Sequence, residues 1–254
     1  MTFDDAEGRR LVAVMPHPDD EAYSVAGTLS LAARSGAQVT LVTATRGESG
    51  WIRGQAGVEG IAETRTHELE CACQAIGIGP AQILGWPDGG ISRVDTDTAR
   101  QQLSECFDLL DPDVILTLAV DGVYGHRDHV SLTRLVSEVA GPRRLLHGDF
   151  PSRLFERFAT KFRQHAPELL VEDLEPAKLG IDQRLADLVV RLDDAATAAK
   201  KAAIACHASQ LLDSEPLSFL FPGLVEAVCD REWLTFASGA PLPSGASSPF
   251  AGLS

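Results

Sequence analysis

The sequence predicts an α/β protein: a Rossmann-like, mostly parallel sheet with helices on both faces and its active site at the C-terminal ends of the strands. Three observations predict it. Short apolar runs rich in β-branched residues and bounded by Gly, Pro or Asp recur along the first half of the chain. Helical patterns of ten to sixteen residues separate them, the alternation expected of βαβ units. The first run, LVAVM, ends abruptly in PHPDDE, which delivers one imidazole and three carboxylates where an open α/β sheet keeps its ligand crevice.

Strands are expected at residues 11–15, 39–44, 82–84 and 114–119, runs of the kind that a parallel sheet buries on both faces. A helix over 23–34 closes at Gly36, one over 61–76 at Gly77, and one over 96–110 before Asp111-Pro112, each a C-terminal stop signal. After Gly148 the alternation blurs. Residues 151–167 carry Leu154, Phe155, Phe158 and Phe162 at helical spacing, 188–192 reads as a further strand and 195–212 as an alanine-rich helix. The expected organisation is a single domain over 1–238, whose part from 151 onward also reads as a subdomain, and a small-residue, Pro/Ser-rich flexible tail over 239–254.

A chain of 254 residues that is 44% apolar can bury one large core. Its formal net charge is −14, and no Lys/Arg stripe interleaves with aromatics, so nucleic acid is excluded as a partner on electrostatic grounds. No apolar run approaches the roughly 18 to 20 residues that span a bilayer, and the first ten residues are acidic and polar; no membrane span and no secretion signal are expected. Cysteines 71, 73, 106, 206 and 229 form an odd set without disulfide-framework spacing, which fits a reducing compartment and a cytoplasmic protein. Whether the chain forms a homo-oligomer has no readable signature.

In PHPDDE, Pro16 and Pro18 stiffen the exit from the strand and delay helix formation until Asp19 or Asp20. His17 with Asp19, Asp20 and Glu21 is a mixed donor set suited to Zn²⁺; the acids alone also read as caps of the following helix. No glycine-rich phosphate loop follows this strand. The run VILTLAVDGVYGHRDHV repeats the arrangement, a strand and then a turn that opens a helix. Its His126 and His129, three apart, can address one site, and Asp128 can orient a histidine.

With PHPDDE (16–21) and YGHRDH (124–129) stand T-R-G-E (45–48), R-x-x-E-L (65–69), P-D-G-G (87–90) and K-x-x-A-x-x-x-H-x-S-Q (200–210). On these motifs the chain resembles the PIG-L/LmbE-like family of zinc-dependent de-N-acetylases, which act on N-acylated glucosamine conjugates and related amides. The resemblance implies that His17, Asp20 and His129 hold Zn²⁺ with a position left for water, a site that Fe²⁺, Co²⁺ or Mn²⁺ can also fill. It further implies Asp19 as general base and His126, paired with Asp128 and protonated, as electrophile or general acid. Tyr124 either adds a hydroxyl to the intermediate or packs its loop. Arg65, Asp88 and Glu48 are candidate substrate-binding groups, with intrahelical pairing to Glu68, turn formation and loop support as their structural alternatives. Arg127 stands where the family often has proline.

The expected activity is metal-dependent hydrolysis of an N-acyl amide, removing acetyl from an N-acetylglucosamine-type small-molecule conjugate. An amidase that cleaves the cysteinyl amide of a thiol-sugar conjugate uses the same centre. A non-catalytic sugar-binding protein is the alternative of another class, and the presence of all three ligands and the base counts against it. His207 is expected to fix the alanine-rich helix to the domain and Cys71 and Cys73 to be structural. Trp51 and Ile52 read either as an apolar wall over the substrate or as loop packing. His67, His147 and His165 have no evident partner.

Overall fold

The computed structural model describes residues 2–52, 55–56, 59–211 and 220–253. Its strands are β1 (Arg10–Met15), β2 (Gln38–Thr43), β3 (Trp51–Ile52), β4 (Gln55–Ala56), β5 (Gln82–Ile83), β6 (Val114–Leu118), β7 (Arg144–Asp149), β8 (Leu188–Arg191) and β9 (Arg231–Ser238). Its helices are α1 (Asp20–Ser24), α2 (Ala26–Arg34), α3 (Ile61–Ile76), α4 (Thr96–Leu110), α5 (Gly122–Gly125), α6 (Arg127–Val139), α7 (Glu156–His165), α8 (Asp194–Cys206) and α9 (Leu224–Val228).

Seven strands form one sheet in the order β5-β2-β1-β6-β7-β9-β8, with β3 and β4 as a separate hairpin. All pairs in the large sheet are parallel except those of β9, which runs antiparallel to β7 and β8. The expected α/β class, with a mostly parallel sheet, is the observed one. Winding reverses between the adjacent strands β1 and β6, and that reversal opens a crevice at their carboxyl ends. Side chains on β1 alternate between two cores: Leu11, Ala13 and Met15 pack on the face with Leu29, Leu146 and Ile204, while Val12 and Val14 face Leu103, Phe107 and Leu132. Each of these Leu, Val, Ile, Met and Phe side chains, fully buried, contributes roughly 1.5–3 kcal/mol, so the sheet is held chiefly through its faces.

Several local signals act as read. Gly77, at φ 88°, ends α3 with its N–H donated to the Cys73 carbonyl at 3.0 Å. The helix expected over 23–34 is instead two, broken at Val25. The break gives α2 its own N-terminus, whose Gly27 and Thr28 N–H groups donate to the Glu232 carboxylate at 2.9 and 2.7 Å. A remote side chain on β9 thus caps α2. The helix expected over 195–212 ends at Cys206, and a short 3₁₀ turn follows at Ala208–Gln210. The Trp51 and Ile52 reading concerns side chains outside the described residues.

Two expectations fail. The tail expected to be flexible over 239–254 is docked where it is described, over 239–253: Phe250 is buried against Phe3, and the carbonyls of Ala240, Pro241, Pro249 and Ala251 accept from the buried Arg144 guanidinium at 2.7–2.9 Å. Its small residues allow the tight carbonyl wrap that one cation can satisfy. The cysteines are also not all free. Cys71 on α3 and Cys206 at the end of α8 form a disulfide with Cα atoms 5.7 Å apart, leaving Cys73, Cys106 and Cys229 as thiols. Spacing could not reveal a pair 135 residues apart, and the cysteine argument for a reducing compartment lapses. Among the described residues no helix is long and apolar enough to cross a membrane.

Arg144→Met should free the terminal segment and leave four carbonyls, that of Pro249 buried, without their donor, costing roughly 3 kcal/mol in thermal or urea unfolding. Limited proteolysis should then cut within 239–253 first; an uncut tail in a fully stable variant would show that Arg144 does not anchor it.

Candidate active site

The chain leaves β1 at Met15, and Asp19 takes φ 116°, in the left-handed region. Such a backbone costs a residue with a β-carbon roughly 1–3 kcal/mol and persists where its surroundings over-determine it. Two bonds do so here. The Asp19 N–H donates to Glu21 Oε2 at 3.0 Å, and Arg65 Nη2, from α3, donates to Asp19 Oδ2 at 3.0 Å. Arg65 also donates to the carbonyls of Pro18 and, at 3.1 Å, Gly47. The capping explanation fails for Asp19, whose side chain makes no cap bond to α1, but holds in part for Glu21, which stands with Asp20 in the first turn of that helix and accepts the N–H of its N-cap residue.

Asp20 and His17 fold toward each other: the His17 N–H donates to Asp20 Oδ2 at 2.9 Å, and the Tyr23 hydroxyl donates to Asp20 Oδ1 at 2.5 Å. Across the crevice, the turn after β6 is twisted through Gly122, Val123 and Gly125, all at positive φ, with the Val123 N–H held by Asp121 Oδ1 at 2.8 Å. That turn delivers His126 as the N-cap of α6 and His129 one turn further in. His17 Nδ1 lies 3.2 Å from Asp20 Oδ2 and 3.3 Å from His129 Nε2, and His129 Nε2 lies 3.5 Å from Asp20 Oδ1. Donors about 2.0 to 2.2 Å from a tetrahedral ion stand about 3.3 to 3.6 Å apart, so these three could hold one metal ion.

Proton placement supports the same conclusion. His17 Nε2 faces two carboxylates, Asp88 Oδ1 at 3.0 Å and Asp128 Oδ2 at 3.4 Å, and therefore carries the proton. In the neutral ring Nδ1 is then a lone pair 3.2 Å from Asp20 Oδ2 and 3.3 Å from His129 Nε2, a position at which a cation could be held. Burial opposes a second proton on this ring, but Asp88, Asp128 and Asp20 outweigh it and hold the His17 pKa well above 6.5. The same donor geometry fits zinc's preference for imidazole nitrogen and carboxylate oxygen.

Asp128 and Asp88 therefore do work other than that expected. Asp128 was paired with His126 in the sequence reading, but its carboxylate accepts from the backbone N–H groups of Gly89 (2.7 Å) and Ile91 (3.0 Å) and faces His17. The His126 ring instead accepts, at Nδ1, the N–H of Asp128 at 3.2 Å. Asp88, expected to bind substrate, orients His17 and accepts the Ser49 N–H at 2.9 Å. Exposed Glu48 accepts the Asp88 N–H at 2.8 Å and so holds the P-D-G-G turn in place. Arg65, only 3% exposed, lies beneath Asp19 and not on a sugar-facing surface. Tyr124 stacks on Phe155 with centroids 6.1 Å apart and lies edge-on to His129 at 5.2 Å, so its ring packs the site wall.

Electrostatics divide the titratable groups. Burial pushes Asp19 up to about 7, against the pull of Arg65, with Asp20 adding and His207 opposing. Burial would raise Asp20, but His129, His17 and the Tyr23 hydroxyl hold it well below the ordinary carboxylate range. Burial and the neighbouring His129 and His17 keep His126 well below 6.5, so its ring is neutral, and with Nδ1 accepting, the proton sits on Nε2. The protonated His126 of the sequence reading is thus corrected to a neutral donor.

One pair escaped the sequence reading as part of the site. His207 Nε2 lies 2.7 Å from Glu21 Oε1 with both side chains fully buried, so the histidine expected to anchor α8 does so against the acid that holds Asp19. The K-x-x-A-x-x-x-H-x-S-Q motif was its signal. His67 and His165 are exposed, and buried His147 has no partner for Nε2 among the described residues.

A profile of the PIG-L family, described as GlcNAc-PI de-N-acetylase, matches residues 12–140. The 1D-myo-inositol 2-acetamido-2-deoxy-alpha-D-glucopyranoside deacetylase of Corynebacterium diphtheriae is 33% identical over 232 residues, covering 82% of this chain and 78% of the relative. Among solved structures, the N,N'-diacetylchitobiose deacetylase of Pyrococcus horikoshii superposes with TM-score 0.62 at 20% identity, over 92% of this chain and 85% of that one. The 4-carboxy-2-hydroxymuconate hydratase GalB of Pseudomonas putida KT2440 superposes with TM-score 0.60 at 16% identity, over 94% and 100%, so the fold by itself does not select one reaction. The profile match and the identity to the Corynebacterium relative do: the chain belongs to the PIG-L family of de-N-acetylases, and it is an amide hydrolase.

Proposed function

We propose that this protein is a zinc-dependent deacetylase of an N-acetylglucosamine-type conjugate, with His17, Asp20 and His129 as the metal ligands and Asp19 as the base. The observation that carries the reading is the set of three buried donors 3.2–3.5 Å apart with the Asp19 carboxylate on the adjoining residue. Zinc bound there supplies Lewis acidity and makes water acidic enough to lose a proton at neutral pH. Asp19, with a pKa near 7, accepts that proton as water attacks the acyl carbon. Arg65 keeps the carboxylate aimed throughout.

His126 donates through Nε2–H to the oxygen on which negative charge develops, an interaction that strengthens as the carbonyl becomes tetrahedral. Asp19 then returns its proton to the departing nitrogen, since a neutral His126 has none to spare. The substrate's hexosamine and cyclitol character is inferred from the relative's name. A surface cavity of about 470 Å³ beside α6, lined by Ser92, Arg127, Val171, Glu172 and Asp173, suits the polyhydroxylated remainder of such a conjugate. Hydroxyls pair well with guanidinium and carboxylate together. Arg127, where the family often has proline, belongs to that lining.

Acetate release from an N-acetylglucosaminyl inositol, and from N-acetylglucosamine, should be abolished by a chelator and restored by zinc. Zinc-loaded protein that releases acetate from neither would overturn the reading; cleavage of an acyl-cysteinyl glucosaminide in their place would reassign it to the thiol-sugar amidase class. Asp19→Asn should keep its metal and lose roughly 10²- to 10⁴-fold in kcat. Full turnover in that variant would remove Asp19 from the base role. Asp88→Ala should weaken metal affinity roughly 10- to 100-fold, as loss of a ligand-orienting carboxylate does. A raised KM with unaltered metal affinity would return Asp88 to the substrate.

A further inference from the structure

The base Asp19 is held by a chain of contacts that ends at the protein surface. Its N–H donates to Glu21 Oε2, Glu21 Oε1 lies 2.7 Å from His207 Nε2, and His207 is the residue after Cys206. Cys206 is bonded to Cys71 on α3, the same helix that carries Arg65, the other group fixing Asp19. Glu21 and His207 are fully buried, whereas Cys71 is exposed and Cys206 half-buried. The disulfide is therefore the point at which a solution reductant can reach this chain.

We propose that Glu21 and His207 are positioning residues for Asp19 and that the Cys71–Cys206 disulfide is a redox-sensitive clamp upon them. This rests on the reading of Asp19 as the base. A dithiol delivers two electrons and two protons: the Sγ–Sγ bond breaks, both cysteines become thiols, and the dithiol becomes a disulfide. The end of α8 then loses its covalent tie to α3, and His207 loses the constraint that keeps it against Glu21. Asp19, in a left-handed backbone held by Glu21 at its N–H and by Arg65 at its carboxylate, then loses the first of these two supports and is the group that relaxes. Reduction does not dismantle the fold, because Ser209 still donates to Glu68 on α3 from N–H and hydroxyl at 2.6 and 2.7 Å, and buried Lys200 still pairs with Glu232 at 2.6 Å.

The test compares full-length, zinc-loaded protein in its oxidised state with protein reduced by dithiothreitol, desalted anaerobically and reloaded with zinc, thiols being counted in each. Acetate release from N-acetylglucosamine and amide hydrogen exchange across residues 17–24 are both measured. Reduction should lower kcat roughly tenfold, the scale on which misaligned catalytic groups lose rate, with KM and zinc content unchanged and exchange faster in 17–24. Cys71→Ser should match the reduced protein and ignore dithiothreitol, and His207→Gln should lower kcat in both redox states. Equal kcat and equal exchange in verified oxidised and reduced protein would overturn the clamp, as would zinc loss in step with kcat. Faster exchange on reduction in a protein that releases acetate in neither state, from N-acetylglucosamine or from an N-acetylglucosaminyl inositol assayed beside it, would uphold the clamp and bring down the deacetylase reading.

Discussion

The structure depends on burying carboxylates of like charge at one end of its sheet. Asp19, Asp20, Glu21, Asp88 and Asp128 converge where β1 and β6 end, and an unpaired buried carboxylate costs several kcal/mol. Each is offset by a different partner. Asp128 takes two backbone N–H groups, Asp88 takes His17, Glu21 takes His207 and the Asp19 N–H, Asp19 takes Arg65, and Asp20 takes Tyr23 with the His17 N–H. His17 Nδ1, Asp20 and His129 Nε2 remain, 3.2–3.5 Å from one another and turned toward one point. In the proposed reading a divalent cation held there would complete the balance and link metal affinity to local folding.

The compensation extends into the scaffold. Lys200 on α8 and Glu232 on β9 form a pair with side chains 0% and 1% exposed, and Glu232 also receives the Gly27 and Thr28 N–H groups in the first turn of α2. A buried ion pair adds less stability than apolar packing of the same volume would, but it permits few alternative arrangements. Here it sets α8 against α2 and β9 in one register, and that register carries His207 to Glu21. The break at Val25 that interrupts the first helix serves the same geometry, since only a second helix start presents N–H groups to Glu232.

Legibility in the sequence followed locality. β1 and β6 were legible because central parallel strands are continuous apolar runs, and α3 and α4 because Gly77 and Asp111-Pro112 end them within a residue of their patterns. β7 and β9 were not, since Arg144, His147, Asp149, Arg231 and Glu232 interrupt the apolar pattern and the partners of Arg144 lie about a hundred residues onward. The site followed the same rule. PHPDDE and YGHRDH announced which residue types meet, because both stand at strand ends on the switch point. Which carboxylate faces which nitrogen depends on side-chain directions from four elements, so the tasks of Asp88, Asp128 and Arg65 emerged only in three dimensions.

A neutral His126 also explains why one carboxyl group carries both proton transfers in the proposed reaction. Its Nδ1 is committed to the first turn of α6, and the positive end of that helix, like its two imidazole neighbours, disfavours a second proton on the ring. A ring so placed can donate a hydrogen bond throughout the reaction, and the proposed mechanism leaves the protonation of the amine to Asp19. Asp19 is suited to both directions, because burial brings its pKa to about 7, near the midpoint between accepting from an acidified water and delivering to an amine. Arg65 keeps that pKa from rising further, and Glu21 and His207 hold the carboxylate from the backbone side. Three consecutive acids thus divide among three partners: Asp19 to Arg65 and the moving proton, Asp20 to the metal position, and Glu21 to the histidine that α8 brings from 186 residues away.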